Sequence, residues 1–193
     1  MASSALDDVL DEVYDVICDF VESDYFGRLG PDHQDVAEDI LLTFTEYMYS
    51  YHGLRPEEWD ERQVEACCLE TIPQKCAADE AYFRSIAPVL VLFLRFAGEA
   101  EYLEHGAALA RRVQHLGARI RDNALDPRCW GAAKTFAMAA VRAGVDPTDA
   151  AEMDRFLAHY KKMLAGKFER AEPAGRTRPR GEPNEPTRGP GKK

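Results

Sequence analysis

Five histidines (His33, His52, His105, His115 and His159) and five cysteines (Cys18, Cys67, Cys68, Cys76 and Cys129) are the side chains best suited to metal or nucleophilic chemistry. No two histidines stand four residues apart, so no helix face offers a pair of imidazoles to a metal. None follows a glutamate by three residues, which removes the Glu-x-x-His pattern of di-iron bundles. Cys67-Cys68-x7-Cys76 offers half of a zinc site, but Pro73 lies inside it and a second close-spaced ligand pair is missing. An odd number of cysteines spread over apolar helix faces is not a disulfide framework, and the cysteines read as small buried hydrophobes. Cys–His catalysis needs no proximity in sequence, yet nothing marks one thiol as activated. G-x-S-x-G, Walker A and G-x-G-x-x-G motifs are absent. The expectation is no metal, no cofactor and no catalytic residue.

Two constellations remain. The first is charge. The chain carries −10 overall; residues 166–193 hold eight bases and four acids, so residues 1–165 carry −14. Through residue 54 there are thirteen acids and one base, Arg28. Such a surface repels nucleic acid. It reads either as a solubilising exterior or as a docking face for a basic partner, or for the chain's own basic tail. The candidate contacts are Asp7, Asp8, Asp11, Glu12, Asp15, Asp19, Asp35 and Asp39. The second constellation is Trp130 and Lys134, four apart on one helix face, with His105 as a third member. Structurally, Trp130 is a core anchor and Lys134 lays its stem along it with the amine in water. Functionally, the three would line a ligand pocket. Glu99, Glu101, Glu104 and His105 form a further acidic cluster, read as a solvated helix face.

The elements that must position these groups are helices. Leu6, Val9, Val13, Ile17, Phe20 and Val21 recur at steps of three and four, with Ser3 or Ser4 to cap the start. A second helix opens at Pro31, carries Val36, Ile40, Phe44, Tyr47, Met48 and Tyr51, and stops at Gly53. A third opens at Pro56, carries Trp59, Val64, Cys67 and Leu69, and ends at Pro73. The run Ile86 to Phe96 is apolar nearly all round and too short to span a bilayer, so it is the expected central helix, buried on every side. Pro88 within it either follows a cap at Ser85 or kinks one helix from Ala77 to Ala97; the kink fits better. Glu99 to Asp122 reads as the next helix, with Tyr102, Leu103, Leu109, Val113, Leu116 and Ile120 inward. Asp126-Pro127 and Asp146-Pro147 open the last two. No stretch alternates like a strand, and no fixed-period repeat is present.

The fold expected is all-α. One compact domain of about seven helices spans 1–165, as an acidic helical pair (1–54) and a helical core (55–165). Residues 166–193, Pro/Gly/Arg-rich and nearly without apolar side chains, are expected to be a disordered tail. No signal segment is apparent, so a cytoplasmic, non-membrane protein is expected.

Trp59, Pro73-x-Lys75, Ala78-Asp79-Glu80, Phe83, Ile86-x-Pro88-Val89-Leu90 and Phe93-Leu94-Arg95-Phe96 resemble a group of uncharacterised helical proteins of bacteria and archaea. Asp126-Pro127, Trp130-Gly131-x-Ala133-Lys134 and Gly144-Val145-Asp146 resemble its carboxy-terminal half. The likeness implies the helical fold and no known activity. Members of that group sometimes end in a SEC-C motif, a cysteine-rich zinc knuckle. Asn184-Glu185-Pro186 with Gly189-Pro190-Gly191-Lys192-Lys193 resembles its start, but Thr187 and Arg188 stand where ligands would fall, so the resemblance implies no metal site here. The second and third helices are also similar in pattern to the arm domain of tyrosine recombinases, which implies nucleic-acid association. The leading expectation is a non-catalytic protein-interaction module using the acidic amino-terminal face. The alternatives are a ligand binder or enzyme with a pocket near Trp130, Lys134 and His105, and a nucleic-acid-associated protein.

Overall fold

The computed structural model describes residues 4–146 and 149–171, with side chains through 163. Among them are nine helices and no strand. They are α1 (Ala5–Val21), α2 (Pro31–Gln34), α3 (Ala37–His52), α4 (61–75), α5 (Glu80–Glu99), α6 (Gly106–Gln114), α7 (Gly117–Leu125), α8 (Ala132–Arg142) and α9 (Ala150–Ala171). α9 thus runs into the stretch expected to be tail; the rest of that tail lies outside the described residues, as does Pro147.

α5 is the centre, with α1, α2, α3, α6 and α7 packed on it. Phe83, Ile86, Val89, Leu90, Phe93 and Leu94 are all buried, each contributing roughly 1.5–3 kcal/mol of apolar transfer energy. It is one helix: Asp79 caps its start by accepting from Tyr82 N, and Pro88 lies inside. Ser85 is no cap; its hydroxyl donates to Ala81 O within the helix. Burial is not complete all round. Arg84, Pro88, Val91 and Arg95, on one helical stripe, line an open depression with Gln114 and Gly117. Proline on that stripe leaves the Arg84 carbonyl without its helical donor on the side nearest water.

The amphipathic stripe of α1 holds in its middle four positions, while Leu6 is half-buried and Val21, expected inward, is exposed. Val9, Val13, Ile17 and Phe20 are buried, and Ser4 with Asp7 forms a capping box. α3 ends where Gly53 takes φ 69°, a left-handed cap. The expected second helix is two. The chain bends at Asp35 and Val36, where Val36 leaves helical geometry and turns onto the core.

The middle of the chain departs from the expected pattern in three places. First, Pro56 opens only a 3-10 turn (Pro56–Glu58), and α4 starts five residues later, with Asp60 accepting from Gln63 N. Second, Pro73 does not end α4. The helix widens to a π turn at Cys67–Thr71, with Ile72 N donating to Cys67 O, and then continues as Ile72–Lys75. A mid-helix proline clashes with the preceding turn, and a wide turn removes that clash. Asn123 Nδ2 donates to the Leu69 carbonyl, four residues before Pro73, at 3.0 Å. Third, the expected helix 99–122 is broken into a connection, α6 and α7. The first break falls at 100–105, where Glu101 takes φ 63°, and Gly106 opens α6 just beyond it. Gly106 lies so close to α5 that a Cβ there would sit 2.3 Å from Leu94 O. Tyr102, expected inward, is instead 47% exposed.

Asp126-Pro127 likewise opens a 3-10 turn rather than a helix. That turn delivers Gly131 N to the Gln74 carbonyl at the end of α4, at 3.0 Å. α8 begins there and packs on α9, where Phe136, Phe156 and Tyr160 meet ring to ring.

Candidate functional site

The acidic candidates fall where an amphipathic helix must put them. Asp7, Asp8, Asp11, Glu12, Asp15 and Asp19 are exposed on the face of α1 opposite its buried stripe. Asp35 is exposed in the bend before α3, and Asp39 in the first turn of α3. Their surroundings differ. Asp7 is engaged in the cap, accepting from Ser4 N at 2.9 Å, which holds its carboxyl below the usual range. Asp19 accepts from the Tyr102 hydroxyl at 2.5 Å, so that phenol keeps its proton to higher pH than usual. Of the thirteen acids through residue 54, Glu12 alone is in an ion pair among the described residues. The charge of this region is therefore largely uncompensated by the described cations.

Two of the candidates, Glu12 and Asp15, edge a groove of about 360 Å³. Val13 and Val16 of α1, Phe93 and Ala97 of α5, and Leu103 give it an apolar floor. Pro56, Glu57, Trp59 and Tyr102 complete it. Arg55 grips both Glu12 oxygens, at 2.6 and 2.8 Å, and reaches Glu57 at 3.2 Å. These pairs tie the 3-10 turn to α1 and fix the carboxylates along one rim; exposed as they are, they add little to stability.

Trp59 is 3% exposed and stacks edge-on to Phe44 at 5.1 Å. Its indole N–H is, among the described residues, the one buried side-chain polar group without a hydrogen-bond partner. A buried donor left unpaired costs about 1–3 kcal/mol. The opposite wall is held under strain. Glu101 takes φ 63°, a left-handed conformation that costs a residue with a Cβ roughly 1–2 kcal/mol. The turn it makes brings Tyr102 N and Leu103 N together on the Ala97 carbonyl, at 2.8 and 3.0 Å. Strain and an orphaned donor thus flank the same depression, the pattern expected where a surface is shaped for something other than stability.

The second constellation comes out differently. Trp130 and Lys134 do meet, but Lys134 is sealed, 1% exposed, rather than holding its amine in water. Nζ donates to the Pro73 carbonyl at 3.0 Å and to the Ala124 carbonyl at 2.8 Å. These carbonyls lie near the ends of α4 and α7, where a cation suits the helix dipole. Nζ also lies over the rings of Phe83 and Trp130, 4.7 and 5.4 Å from their centres. Trp130 Nε1 donates to the same Ala124 carbonyl at 2.7 Å. Among the described residues no carboxylate pairs with the amine, and burial pushes it down to about 8. His105 is elsewhere. It precedes α6 and lines a shallow depression with Trp59, Asp60, Glu61, Arg62, Ala108 and Leu109. The expected three-residue pocket is thus a packed latch plus a separate surface histidine.

The cysteines divide. Cys67, Cys68 and Cys76 are buried, while Cys18, expected inside, is exposed. Burial pushes Cys68 up to about 12 and Cys76 up to about 11, and Cys67 well above its ordinary value, so all three stay protonated at neutral pH. Among the described residues no three His, Cys, Asp or Glu side chains are placed to hold a metal.

Arg55, Glu57, Trp59, Tyr102 and Leu103 belong to the groove but are not legible as site residues in the sequence. They come from two stretches, 55–59 and 102–103, more than forty residues apart, so no spacing announces them. The one available signal is Glu57, Glu58 and Trp59 directly after Pro56, an aromatic beside charges in a turn. No protein family, curated protein or solved structure matches this chain.

Proposed function

We propose that this protein is an interaction module whose acid-rimmed groove receives a basic segment with an apolar anchor from a partner protein. One observation carries the reading. An apolar floor and a carboxylate rim form a single depression beside α1, in a region where twelve of thirteen acids lack a cationic partner among the described residues. The floor supplies burial for one or two side chains, and the rim supplies charge pairing. The surrounding field steers a cationic segment inward and raises its rate of encounter.

A designed peptide alternating Arg, Pro and Leu serves as the probe. Titrated into the protein, it is expected to move the Trp59 indole N–H resonance and leave that of Trp130 in place. Affinity should fall about tenfold between roughly 0.03 and 0.3 M salt, as the screening length shrinks from about 18 to about 6 Å. The triple change Asp11→Lys, Asp15→Lys, Asp19→Lys should abolish binding. Salt-independent binding, or binding that survives the triple change, overturns the proposal.

A further inference from the structure

The groove's chemistry also describes a segment of this same chain. Residues 186–193 read Pro-Thr-Arg-Gly-Pro-Gly-Lys-Lys: three cations, no acid, two prolines. The groove offers three carboxylates, Glu12, Asp15 and Glu57, and the rings of Trp59, Tyr102 and Phe93. We infer that Pro186–Lys193 occupies the groove within its own chain in the free protein, so that an outside partner must displace it. This rests on the reading of the groove as a docking site for basic segments.

Charge, surface and reach support it. The three cations of 186–193 oppose a rim that stays net negative even with Arg55 paired to Glu12 and Glu57, and residues 1–54 carry eleven further acids whose field adds to the attraction within a screening length. The groove's surface suits the segment's composition. Proline rings pack well in aromatic-lined grooves, and a Pro- and Gly-rich chain has carbonyls free of internal hydrogen bonds. The tether is long enough. α9 is described through Ala171. The fifteen residues from there to Pro186 extend up to about 50 Å. A body of this size has a radius of gyration near 15 Å and a diameter of about 40 Å, so a path over its surface to the far pole is about 60 Å and the tether covers most of that surface. The nearer cations are less suited. Arg176 is five residues from Ala171 and reaches only about 17 Å, and Glu172, Glu182 and Glu185 bracket the cluster it begins.

Tethering makes a weak contact sufficient. A flexible tether gives an effective concentration in the millimolar range, so a segment that binds with a millimolar dissociation constant is bound about half the time. An outside segment then sees its affinity reduced by the occupied fraction.

The test uses the full chain labelled with nitrogen-15, with the Trp59 indole peak assigned by Trp59→Phe. Arg188→Glu, Lys192→Glu and Lys193→Glu are made together. At low salt the triple variant is expected to move the Trp59 peak relative to wild type and leave the Trp130 peak unchanged. Raising salt should carry the wild-type peak to the variant's position and leave the variant's where it is. A synthetic peptide of residues 172–193 added to the variant should restore the wild-type position. Coincident Trp59 peaks in wild type and variant at low salt overturn the inference. A difference that disappears on hundredfold dilution also overturns it, because the occupant is then a second copy's segment. If the peaks coincide while the designed Arg/Pro/Leu peptide still moves Trp59, only this inference falls; if that peptide moves nothing either, the docking reading falls with it.

Discussion

Lys134 is a buried amine held by carbonyls rather than a carboxylate, and the fold should become relatively more stable as that amine loses its proton. In the open chain its value is the ordinary 10.5; in the fold, burial pushes it down to about 8. A proton on the folded amine is thus disfavoured, and the folded state binds fewer protons than the unfolded state between those two values. Stability rises with pH wherever the unfolded state holds more protons. The contribution is therefore absent below about pH 8, grows through the interval and is complete above about 10.5. Its full size is about 3 kcal/mol at 1.36 kcal/mol per pH unit, of which about 2.5 kcal/mol is gained between pH 7 and pH 10. Deprotonation need not cost the latch its contacts, because a neutral amine still has two N–H groups and two carbonyls face it. The assay is urea unfolding of wild type and Lys134→Met at several pH values. Subtracting one from the other cancels the phenols and thiols that titrate in the same range. Cys76 and Cys129 sense the amine electrostatically, so the pair is best compared in a Cys76→Ala, Cys129→Ala background. The wild-type-minus-variant stability should climb by about 2–3 kcal/mol from pH 7 to pH 10. A flat or falling difference refutes the reasoning.

Other outcomes depend on single contacts. Gly106→Ala drives a Cβ into the Leu94 carbonyl and the backbone of Gly98, so it should cost at least about 3 kcal/mol in urea unfolding. Glu101→Gly relieves a left-handed conformation; it should raise stability by about 0.5–1 kcal/mol in the same assay, since glycine's own entropy loss takes back part of the relief. Trp59→Phe removes the unpaired donor along with some packing, and should cost under about 1.5 kcal/mol, against roughly 3–5 kcal/mol for a typical large-to-small change at a buried aromatic. Asn123→Ala strips the donor from the Leu69 carbonyl beside Pro73 and should cost about 1–2 kcal/mol of unfolding free energy.

What the sequence disclosed were features that depend on neighbours in the chain. The α1 stripe, the Ser4 cap, the Gly53 stop and the passage of α5 through Pro88 are all local rules, and they hold. The exposed acids of α1 come from the same periodicity. The burial of Lys134 was not legible, because its partners are main-chain carbonyls of Pro73 and Ala124, which any residue type supplies equally. The break in 99–122 falls at 100–105, just before Gly106 meets α5, and a glycine in a helical pattern signals close approach only once the opposing helix is known. Pro73 reads as a terminator because nothing in the residues before it announces a widened turn. The groove is half visible, through Glu12 and Asp15, while its floor and far wall are products of packing alone.

The widened turn at Cys67–Thr71 holds one residue more than an α-helix would need. The extra residue is taken up inside that one wide turn, so the helix beyond it keeps the bearing an unbroken α-helix would give. Deleting any one of the five would close the turn and leave the Pro73 and Gln74 carbonyls facing Lys134 and Gly131, but it would drive the Pro73 ring into the turn before it. The wide turn and the proline are thus a matched pair: the stretch can be shortened only where Pro73 is replaced as well.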